Sequence, residues 1–244
     1  GLSNTDVLVT CWGKVLGTPA PFVTPGYGST TFYITDGSAG GTATAQVLGA
    51  WSLLFQDTFN TGRSSSWADY GTAPTVQSGT AVYDARCISW VKNNHIEDEI
   101  LTLDVVSGTT GQIGLVCRFL DVNNFLLANW LQSGNRIYFH EVKYGSYGPS
   151  LGDVYNVQLN PPSVASPVRM IAEVRGYVAK LTVTDGIRTY SATTPLTRFA
   201  DPQLMGAFHD FTLNAIDNFR AYYPSAPMTI NGNVVQVTIP GSVA

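Results

Sequence analysis

Alternation of apolar and polar residues with a period of two runs through most of the chain, and it constrains the fold more than any other feature. Residues that alternate in this way line the two faces of a β-strand, and helical periodicity is almost absent. The predicted strands are TTFYIT, TAVYDA, EILTLDV, QIGLVCRFL, FLLANWL, RIYFHEV, VRMIAEV, YVAKLTVT and NVVQVTI. Short strands separated by Gly, Asn, Asp, Pro and Ser indicate an all-β protein, either a sandwich or a barrel.

One turn signal is stronger than the others. Asp185-Gly186 lies between the apolar runs AKLTVT and IRTYSAT. A type I′ turn needs positive φ at both central residues, and Asp-Gly satisfies this requirement. The pair therefore predicts a hairpin with a two-residue loop.

Charge is sparse and scattered, which limits the partners that we expect. Charged residues make up 12% of the chain, against about 25% in typical proteins, and the net charge is −4. No cluster of Lys and Arg is available to neutralise phosphates, so neither nucleic acid nor an anionic membrane surface is expected as a partner. No apolar run approaches the ~20 residues that span a bilayer, so we expect no membrane insertion.

The same composition favours an extracellular or cell-surface protein over a cytoplasmic enzyme. The start of the chain, GLSNTDVLV, lacks the charged and apolar regions of a signal peptide. Either the chain is cytosolic or a signal has been removed. The composition favours removal, so we expect an exported chain.

The three cysteines, Cys11, Cys87 and Cys117, lack CxxC spacing, so a zinc site is not expected. Cys87 and Cys117 stand in apolar strand contexts, as small buried hydrophobic residues do. A disulfide between any two of the three is the alternative for an exported protein.

The chain divides into three predicted segments. Residues 1–50 are rich in Gly, Thr and Pro and contain few strands. Residues 51–223 form a continuous series of strands, and residues 224–244 add one or two more after a Ser-Ala-Pro break. Neither outer segment is long enough to bury a core alone.

The middle segment resembles the concanavalin A-like lectin/glucanase superfamily, in particular its LamG-like jelly-roll modules. Four marks carry the resemblance: FQDTFN with Trp67 downstream, the run EDEILTLDVVSGTTGQIGLVCRFLDVNNFLLANW, the run VRMIAEVRGYVAKLTVTDG, and the closing IDNFRAYY. They occur in the family's order over about 170 residues. The resemblance implies a concanavalin A-like jelly-roll β-sandwich.

The resemblance also implies that the first and last strands of the jelly roll run side by side, which places Asp57 near Asp217. Two buried carboxylates repel each other, and a calcium ion with supporting carbonyls relieves the conflict. The family carries a structural calcium in this region in some members, so Asp57 and Asp217 are predicted metal ligands. The alternative is that each aspartate caps a turn or accepts hydrogen bonds from backbone amides.

The outer segments are similar to the opening and later strands of small OB-like modules in exported bacterial proteins. The marks are VLVTCWGKV, FYITDGS and INGNVVQVTIPGSV. We expect a small additional β module, a partial OB-like barrel, built from both chain ends. The alternatives are that the ends add edge strands to the sandwich or pair with a neighbouring copy of the chain.

Catalysis is not expected. Glucanases of this superfamily place alternate carboxylates of a Glu-x-Asp-x-Glu strand in the cleft. The nearest stretch, HIEDEIL, has Glu97 and Glu99 on one face, but Leu101 takes the third position. No Gly-x-Ser-x-Gly motif is present.

Carbohydrate binding is the favoured chemistry, and the resemblance places it on the concave sheet face in many members. If Ile137 and Phe139 face the core, Tyr138 and His140 point outward. The same alternation turns Arg118 and Glu173 outward, and the exposed loop KYGSYGPS offers Tyr144 and Tyr147 as aromatic platforms. The predicted carbohydrate-binding residues are Arg118, Tyr138, His140, Glu173 and Tyr144.

Three functional hypotheses follow. The first is a non-catalytic extracellular lectin-like module that binds or organises a polysaccharide or other glycan. The second is a structural subunit of a fibre, surface layer or virion, which polymerises with itself through its terminal strands. The third is a divergent glycoside hydrolase.

Overall fold

The computed structural model describes residues 14–15, 30–35, 51–96, 98–108, 110–196, 203–210, 213–224, 230–231 and 234–239. All of their regular structure is β, so this part of the chain contains no helix that crosses a membrane. The chain divides into two compact units, of which one is Leu53–Tyr223 and the other joins Gly1–Ser52 to Pro224–Ala244.

The unit formed by the chain ends contains a four-stranded antiparallel sheet. Its order is β1 (Lys14–Val15), β2 (Thr30–Thr35), β20 (Val234–Ile239) and β19 (Ile230–Asn231). β2 and β20 pair over five residues, from Thr30 with Ile239 to Ile34 with Val235. Strands from both chain ends therefore share one sheet, while the assignment of this unit to a partial OB-like barrel stays a prediction.

The larger unit is a sandwich of two antiparallel sheets, as the sequence predicts. The front sheet has the order β12 (Ser146–Tyr147), β11 (Arg136–Lys143), β10 (Asn124–Leu131), β9 (Gln112–Asp121), β17 (Leu204–Asp210), β7 (Cys87–Val91) and β4 (Trp67–Gly71). β13 (Leu151–Tyr155) also pairs with β11.

The back sheet has the order β16 (Thr189–Pro195), β15 (Val178–Thr184), β14 (Val168–Arg175), β8 (Glu99–Ser107), β18 (Asn214–Pro224), β6 (Thr80–Tyr83) and β5 (Thr75–Gln77). β3 (Trp51–Asp57) pairs with β18. The first and last strands of the sandwich are therefore neighbours, as the resemblance implies.

The main core lies between the two sheets and follows the alternation of the strands. On β14, Val168, Met170, Ala172 and Val174 are buried, while the residues between them are partly exposed. Each large apolar side chain that is fully buried stabilises the fold by about 1.5–3 kcal/mol relative to its exposure to water. Cys87 and Cys117 belong to this core as free thiols, and Cys11 lies outside the described residues.

The front sheet also carries a second apolar cluster, on the face turned away from the core. Its buried members are Ile88, Val116, Phe119, Phe125, Leu127, Val142 and Phe208. Each strand that contributes to it also contributes alternate residues to the main core. The central strands of the front sheet are therefore apolar on both faces, which explains their nearly continuous hydrophobic runs.

The hairpin predicted at Asp185-Gly186 is present, but its loop has four residues. Thr184 pairs with Thr189, and Gly186 has a φ of 82°. The Asp185 carboxylate accepts hydrogen bonds from the amides of Ile187 and Arg188, at 3.0 and 2.6 Å. This side-chain turn lengthens the loop, so the prediction of a two-residue loop was wrong.

A β-bulge interrupts β9 at Arg118, whose φ is 47°. The bulge leaves the Arg118 amide outside the ladder, and the Glu99 carboxyl accepts its hydrogen bond at 2.8 Å. Glu99 is fully buried, and burial raises its pKa to about 8 although the Arg118 amide acts in the opposite direction. The core therefore contains a carboxyl group that is protonated at neutral pH.

This burial predicts a pH dependence of stability. The folded-state pKa of Glu99 lies above its ordinary value of 4.5, so the stabilisation is fully present below pH 4.5 and is lost as the pH rises through 8. Glu99→Gln keeps an acceptor for the Arg118 amide and removes the titration. We expect its free energy of unfolding, measured with denaturant, to vary less between pH 5 and 8.5 than that of the parent. Glu173→Gln, on the outer face of the back sheet, is the control and should keep the parental slope; equal slopes for all three proteins would contradict this account.

Candidate functional site

A cleft of about 600 Å³ lies on the outer face of the front sheet. The lining comes from β4, the start of β7, the β9–β10 turn and the β11–β12 hairpin, and it consists of Tyr70, Gly71, Arg86, Ile88, Val122, Asn123, Val142, Gly145 and Tyr147. Apolar side chains of the second cluster form part of its floor, while Arg86, Asn123 and the tyrosines supply polar groups. A concave apolar surface with a few polar groups is the usual form of a small-molecule site.

The β11–β12 hairpin brings Tyr147 over the sheet. Its two turn residues, Tyr144 and Gly145, have φ values of 50° and 74°, as a type I′ turn requires. The Gly145 amide donates to the Asn123 carbonyl at 2.9 Å, and the Tyr144 amide donates to the Asn124 side chain at 3.2 Å. These bonds fix the hairpin to the neighbouring β9–β10 turn.

Arg86 meets Tyr147 from the opposite side of the cleft. Its Nη2 donates to the Tyr147 hydroxyl at 2.8 Å, and its Cζ lies 5.8 Å from the Tyr147 ring centroid and 5.9 Å from that of Phe208. A Cβ at Gly71 would lie 2.3 Å from the Arg86 carbonyl oxygen, and Gly71 has a φ of 101°. Only glycine therefore permits the close approach of β4 that positions Arg86.

Beside the cleft, a row of polar and aromatic side chains follows β11. The Tyr138 hydroxyl accepts a hydrogen bond from Gln112 at 2.6 Å, and burial raises its pKa. His140 contacts Tyr138 and Tyr147 edge-to-face, with centroids 5.0 and 5.5 Å away. Nδ1 of His140 donates to the Gly148 carbonyl at 2.9 Å. Burial lowers the pKa of His140, although this hydrogen bond acts in the opposite direction.

Three of the five predicted carbohydrate-binding residues come together on this face. Tyr138 and His140 lie side by side on β11, as the alternation predicts, and Tyr144 lies at the tip of the hairpin. Tyr144 is 79% exposed and contacts the Lys143 ammonium, whereas Tyr138 is only 3% exposed. Neither residue lines the cleft: Tyr144 is exposed at the tip of the hairpin, and Tyr138 contacts His140 beside the cleft.

Arg118 does not join this surface. The bulge turns its side chain inward, where it is 1% exposed and bonds Asp98 at 3.3 Å and the Gly176 carbonyl at 3.0 Å. Strict alternation predicts the opposite orientation for the Arg118 side chain, because it does not allow for the extra residue that a bulge adds to the strand.

Glu173 lies on the outer face of the back sheet, where it forms an ion pair with Arg175. The sandwich separates this face from the cleft, so the predicted surface of Arg118, Tyr138, His140 and Glu173 does not form. Alternation correctly indicates that Glu173 faces outward, but it does not indicate on which sheet.

The residues that sequence reasoning missed are Tyr70 and Arg86. Tyr70 is 60% exposed at the edge of the sheet, and Arg86 reaches a partner 61 residues away. Tyr147, considered only as a loop platform, is a wall of the cleft. The turn chemistry of Tyr144-Gly145 is the one local signal in the sequence for this arrangement.

The Asp57 carboxylate takes part in hydrogen bonds in the structure, and its role as a calcium ligand stays a prediction. Its two carboxylate oxygens accept three hydrogen bonds, from the amides of Phe59 and Ser64 at 2.9 Å and from Nε1 of Trp67 at 2.8 Å. The arrangement corresponds to the alternative in which the aspartate caps a turn.

Asp217 faces Asp104 across β18 and β8. Burial raises the pKa of Asp217, the neighbouring Asp104 adds to the effect, and the Asp57 carboxylate is near enough that its charge also acts to raise this pKa. Asn218 donates to both carboxylates, at 3.1 and 3.2 Å, and Arg169 binds Asp104 through two hydrogen bonds. Within the described residues, no group of three or more His, Cys, Asp or Glu side chains is arranged to hold a metal ion.

The stretch considered for catalysis is not placed in the cleft. Glu99 is fully buried in the core, where it accepts the Arg118 amide, and Glu97 lies outside the described residues.

Comparisons with known proteins identify the fold. No protein-family model and no curated protein sequence matches the chain. Among solved structures, the metal-free exoplasmic/lumenal domain of VIP36 superposes with a TM-score of 0.54 at 12% identity, covering 79% of this chain and 100% of that domain. A Bacillus subtilis protein of unknown function with a galectin-like fold gives 0.53 at 11% identity, over 80% of this chain and 99% of its own.

The same VIP36 domain in its Ca²⁺/Man3GlcNAc-bound form gives a TM-score of 0.51 at 12% identity, over 66% of this chain and 84% of that one. These likenesses, together with the two packed sheets, show that the sandwich has a concanavalin A-like jelly-roll fold. At such low identity they define the class of fold, and the ligand must be argued from the cleft.

The hydrogen bonds of Asp57 predict how the protein responds to calcium. A cation site saturated a hundredfold above its dissociation constant would stabilise the fold by about 2.7 kcal/mol. We expect the melting temperature to be the same in excess Ca²⁺ and in EDTA, since the Asp57 oxygens already have partners. Asp57→Asn should lower stability by about 1–3 kcal/mol to the same extent in both solutions. A rise in melting temperature with Ca²⁺ that Asp57→Asn abolishes would contradict this interpretation.

Proposed function

We propose that the protein is a non-catalytic glycan-binding module that works outside the cell and binds carbohydrate in the cleft on the front sheet. The observation that carries the proposal is the pairing of two exposed tyrosines, Tyr70 and Tyr147, with the guanidinium of Arg86 on one concave surface. The apolar face of a sugar ring stacks on an aromatic ring, and its hydroxyls bond to planar polar side chains.

The preorganisation of the cleft supports the proposal. Tyr147 is held by His140 and Arg86, and the hairpin that carries it is bonded to the β9–β10 turn. Side chains that are already fixed lose less conformational entropy when a ligand binds. Asn123 at the rim adds an exposed amide, which both donates and accepts hydrogen bonds with hydroxyl groups.

The comparisons support the proposal at the level of fold. VIP36, whose domain has the same fold, has been solved in Ca²⁺/Man3GlcNAc-bound and Ca²⁺/Man-bound forms. The cleft described above does not rely on Asp57 or Asp217, so we propose that glycan binding here proceeds without calcium. Self-association through the terminal strands, as in a fibre or surface layer, stays a prediction.

A glycan array probed with the full chain is the first test, followed by titration calorimetry with the best oligosaccharide. We expect Tyr70→Ala and Tyr147→Ala each to weaken binding about tenfold, because each removes a ring on which sugar stacks. The control is Tyr177→Ala, since Tyr177 is also well exposed, at 57%, but lies in the β14–β15 turn of the back sheet. Circular dichroism verifies that each variant is folded.

Two results would reject the proposal. One is the absence of binding to any glycan on the array. The other is an affinity that falls as much with Tyr177→Ala as with the two cleft variants, which would place the ligand elsewhere.

A further inference from the structure

Among the described residues, Arg86 has no carboxylate partner, whereas most of the arginines in this part of the chain have one. Among the arginines whose side chains the structure describes, all except Arg86 and Arg220 form an ion pair; the paired ones are Arg63, Arg118, Arg136, Arg169, Arg175 and Arg188. Of these two arginines, Arg86 lines the cleft and Arg220 does not.

The unpaired guanidinium is nevertheless held in place. It lies between the rings of Tyr147 and Phe208, and one of its N–H groups donates to the Tyr147 hydroxyl at 2.8 Å. A guanidinium has five N–H donors. Apart from this bond, Arg86 makes no side-chain hydrogen bond within the described residues, and its side chain is exposed. An ordered, solvent-facing set of donors therefore remains in the cleft.

The carboxyl group of Asp210 lies near enough to Arg86 for the charge of the guanidinium to affect its pKa, but the two do not form an ion pair. Burial raises the pKa of Asp210, although Arg86 acts in the opposite direction. Its Oδ1 atom has no hydrogen-bond partner among the described residues. Because no hydrogen bond or ion pair joins Asp210 to Arg86 among the described residues, the N–H groups of Arg86 that do not bond Tyr147 are available to a ligand.

From this arrangement we propose that the ligand is an acidic glycan, and that the carboxylate of a uronic acid residue binds Arg86 while Tyr70 and Tyr147 hold sugar rings on either side. The inference rests on the proposed function and names its substrate class. A planar carboxylate matches the guanidinium fork through two parallel hydrogen bonds, which a neutral hydroxymethyl group does not do. An ion pair of this kind contributes to specificity more than to the overall electrostatic attraction between protein and ligand. It therefore does not require a positively charged protein, and the net charge of this chain is −4.

The test compares acidic polysaccharides with their own neutral forms. Oligomers of polygalacturonate, alginate and hyaluronan are each titrated beside the carboxyl-reduced counterpart, in which every carboxylate has become a hydroxymethyl group. We expect at least one acidic oligomer to bind about tenfold or more tightly than its reduced form, since hydrogen bonds to charged groups contribute about 1.5–3 kcal/mol. The difference should shrink as salt is added, because the pair is exposed and screened.

Variants at Arg86 assign the effect to this side chain. Arg86→Gln should remove the preference for the acidic form, because the affinity for the acidic oligomer should fall further than the affinity for the reduced one. Arg86→Lys should keep only part of the preference, because it keeps the charge without the planar pair of donors. Arg220→Gln is the matched control, since it removes the other unpaired arginine, and the preference should persist. Melting curves confirm that the variants are folded, which is expected for the exposed Arg86 and is checked for the partly buried Arg220.

The outcomes separate the two proposals. If acidic and reduced oligomers bind equally and Arg86→Gln weakens both alike, glycan binding stands and the acidic preference is wrong. If Arg220→Gln lowers the preference as much as Arg86→Gln does, the attraction is unspecific and the assignment to Arg86 is wrong. If no oligomer binds and the glycan array is also blank, the proposed function itself fails.

Discussion

Burial of the central front-sheet strands on both faces is the constraint on which the rest of the structure depends. Leu126 and Ala128 pack into the main core, while Phe125 and Leu127 on the same strand belong to the second cluster. An antiparallel sheet usually leaves one face to solvent, and this one does not. The outer face must therefore be covered, and the cleft occurs where the covering residues of the hairpin and of β7 leave a gap.

The covering elements are also the ones that provide the polar groups. The hairpin lays Tyr147 over the sheet, and Gly71 lets the backbone of β4 approach Arg86 closely enough to aim it at the same place. The same elements therefore cover the second cluster and form the surface of the cleft. Tyr147 is held in place by Arg86 and His140 in the structure.

Much of the fold follows from the sequence, because a period of two specifies both strands and faces. The inward Ile137 and Phe139, and the outward Tyr138 and His140, are examples. The prediction for Arg118 failed because a bulge depends on a buried acceptor, Glu99, that the local sequence does not reveal. Glu173 shows a different limit of sequence-based prediction. Alternation predicts that its side chain points outward, but it does not predict to which sheet the strand belongs.

The site itself could be predicted only in part. The loop KYGSYGPS signals a turn with tyrosines, but the partner of Tyr147 lies 61 residues away and comes from tertiary packing. The proximity of Asp57 and Asp217 is predicted from the expectation that the first and last strands are neighbours. That expectation is confirmed, because β3 pairs with β18. What the sequence does not show is that backbone amides and Trp67 already bond to the Asp57 carboxylate.

The most direct test of the central claim is amide chemical-shift mapping by NMR, with the oligosaccharide that binds best. The account predicts that the shifts concentrate at Tyr70–Gly71, Arg86–Ile88, Asn123 and Gly145–Tyr147, on one face of one sheet. Shifts confined to the back sheet, or to the loop after β3, would place the ligand elsewhere and contradict the account.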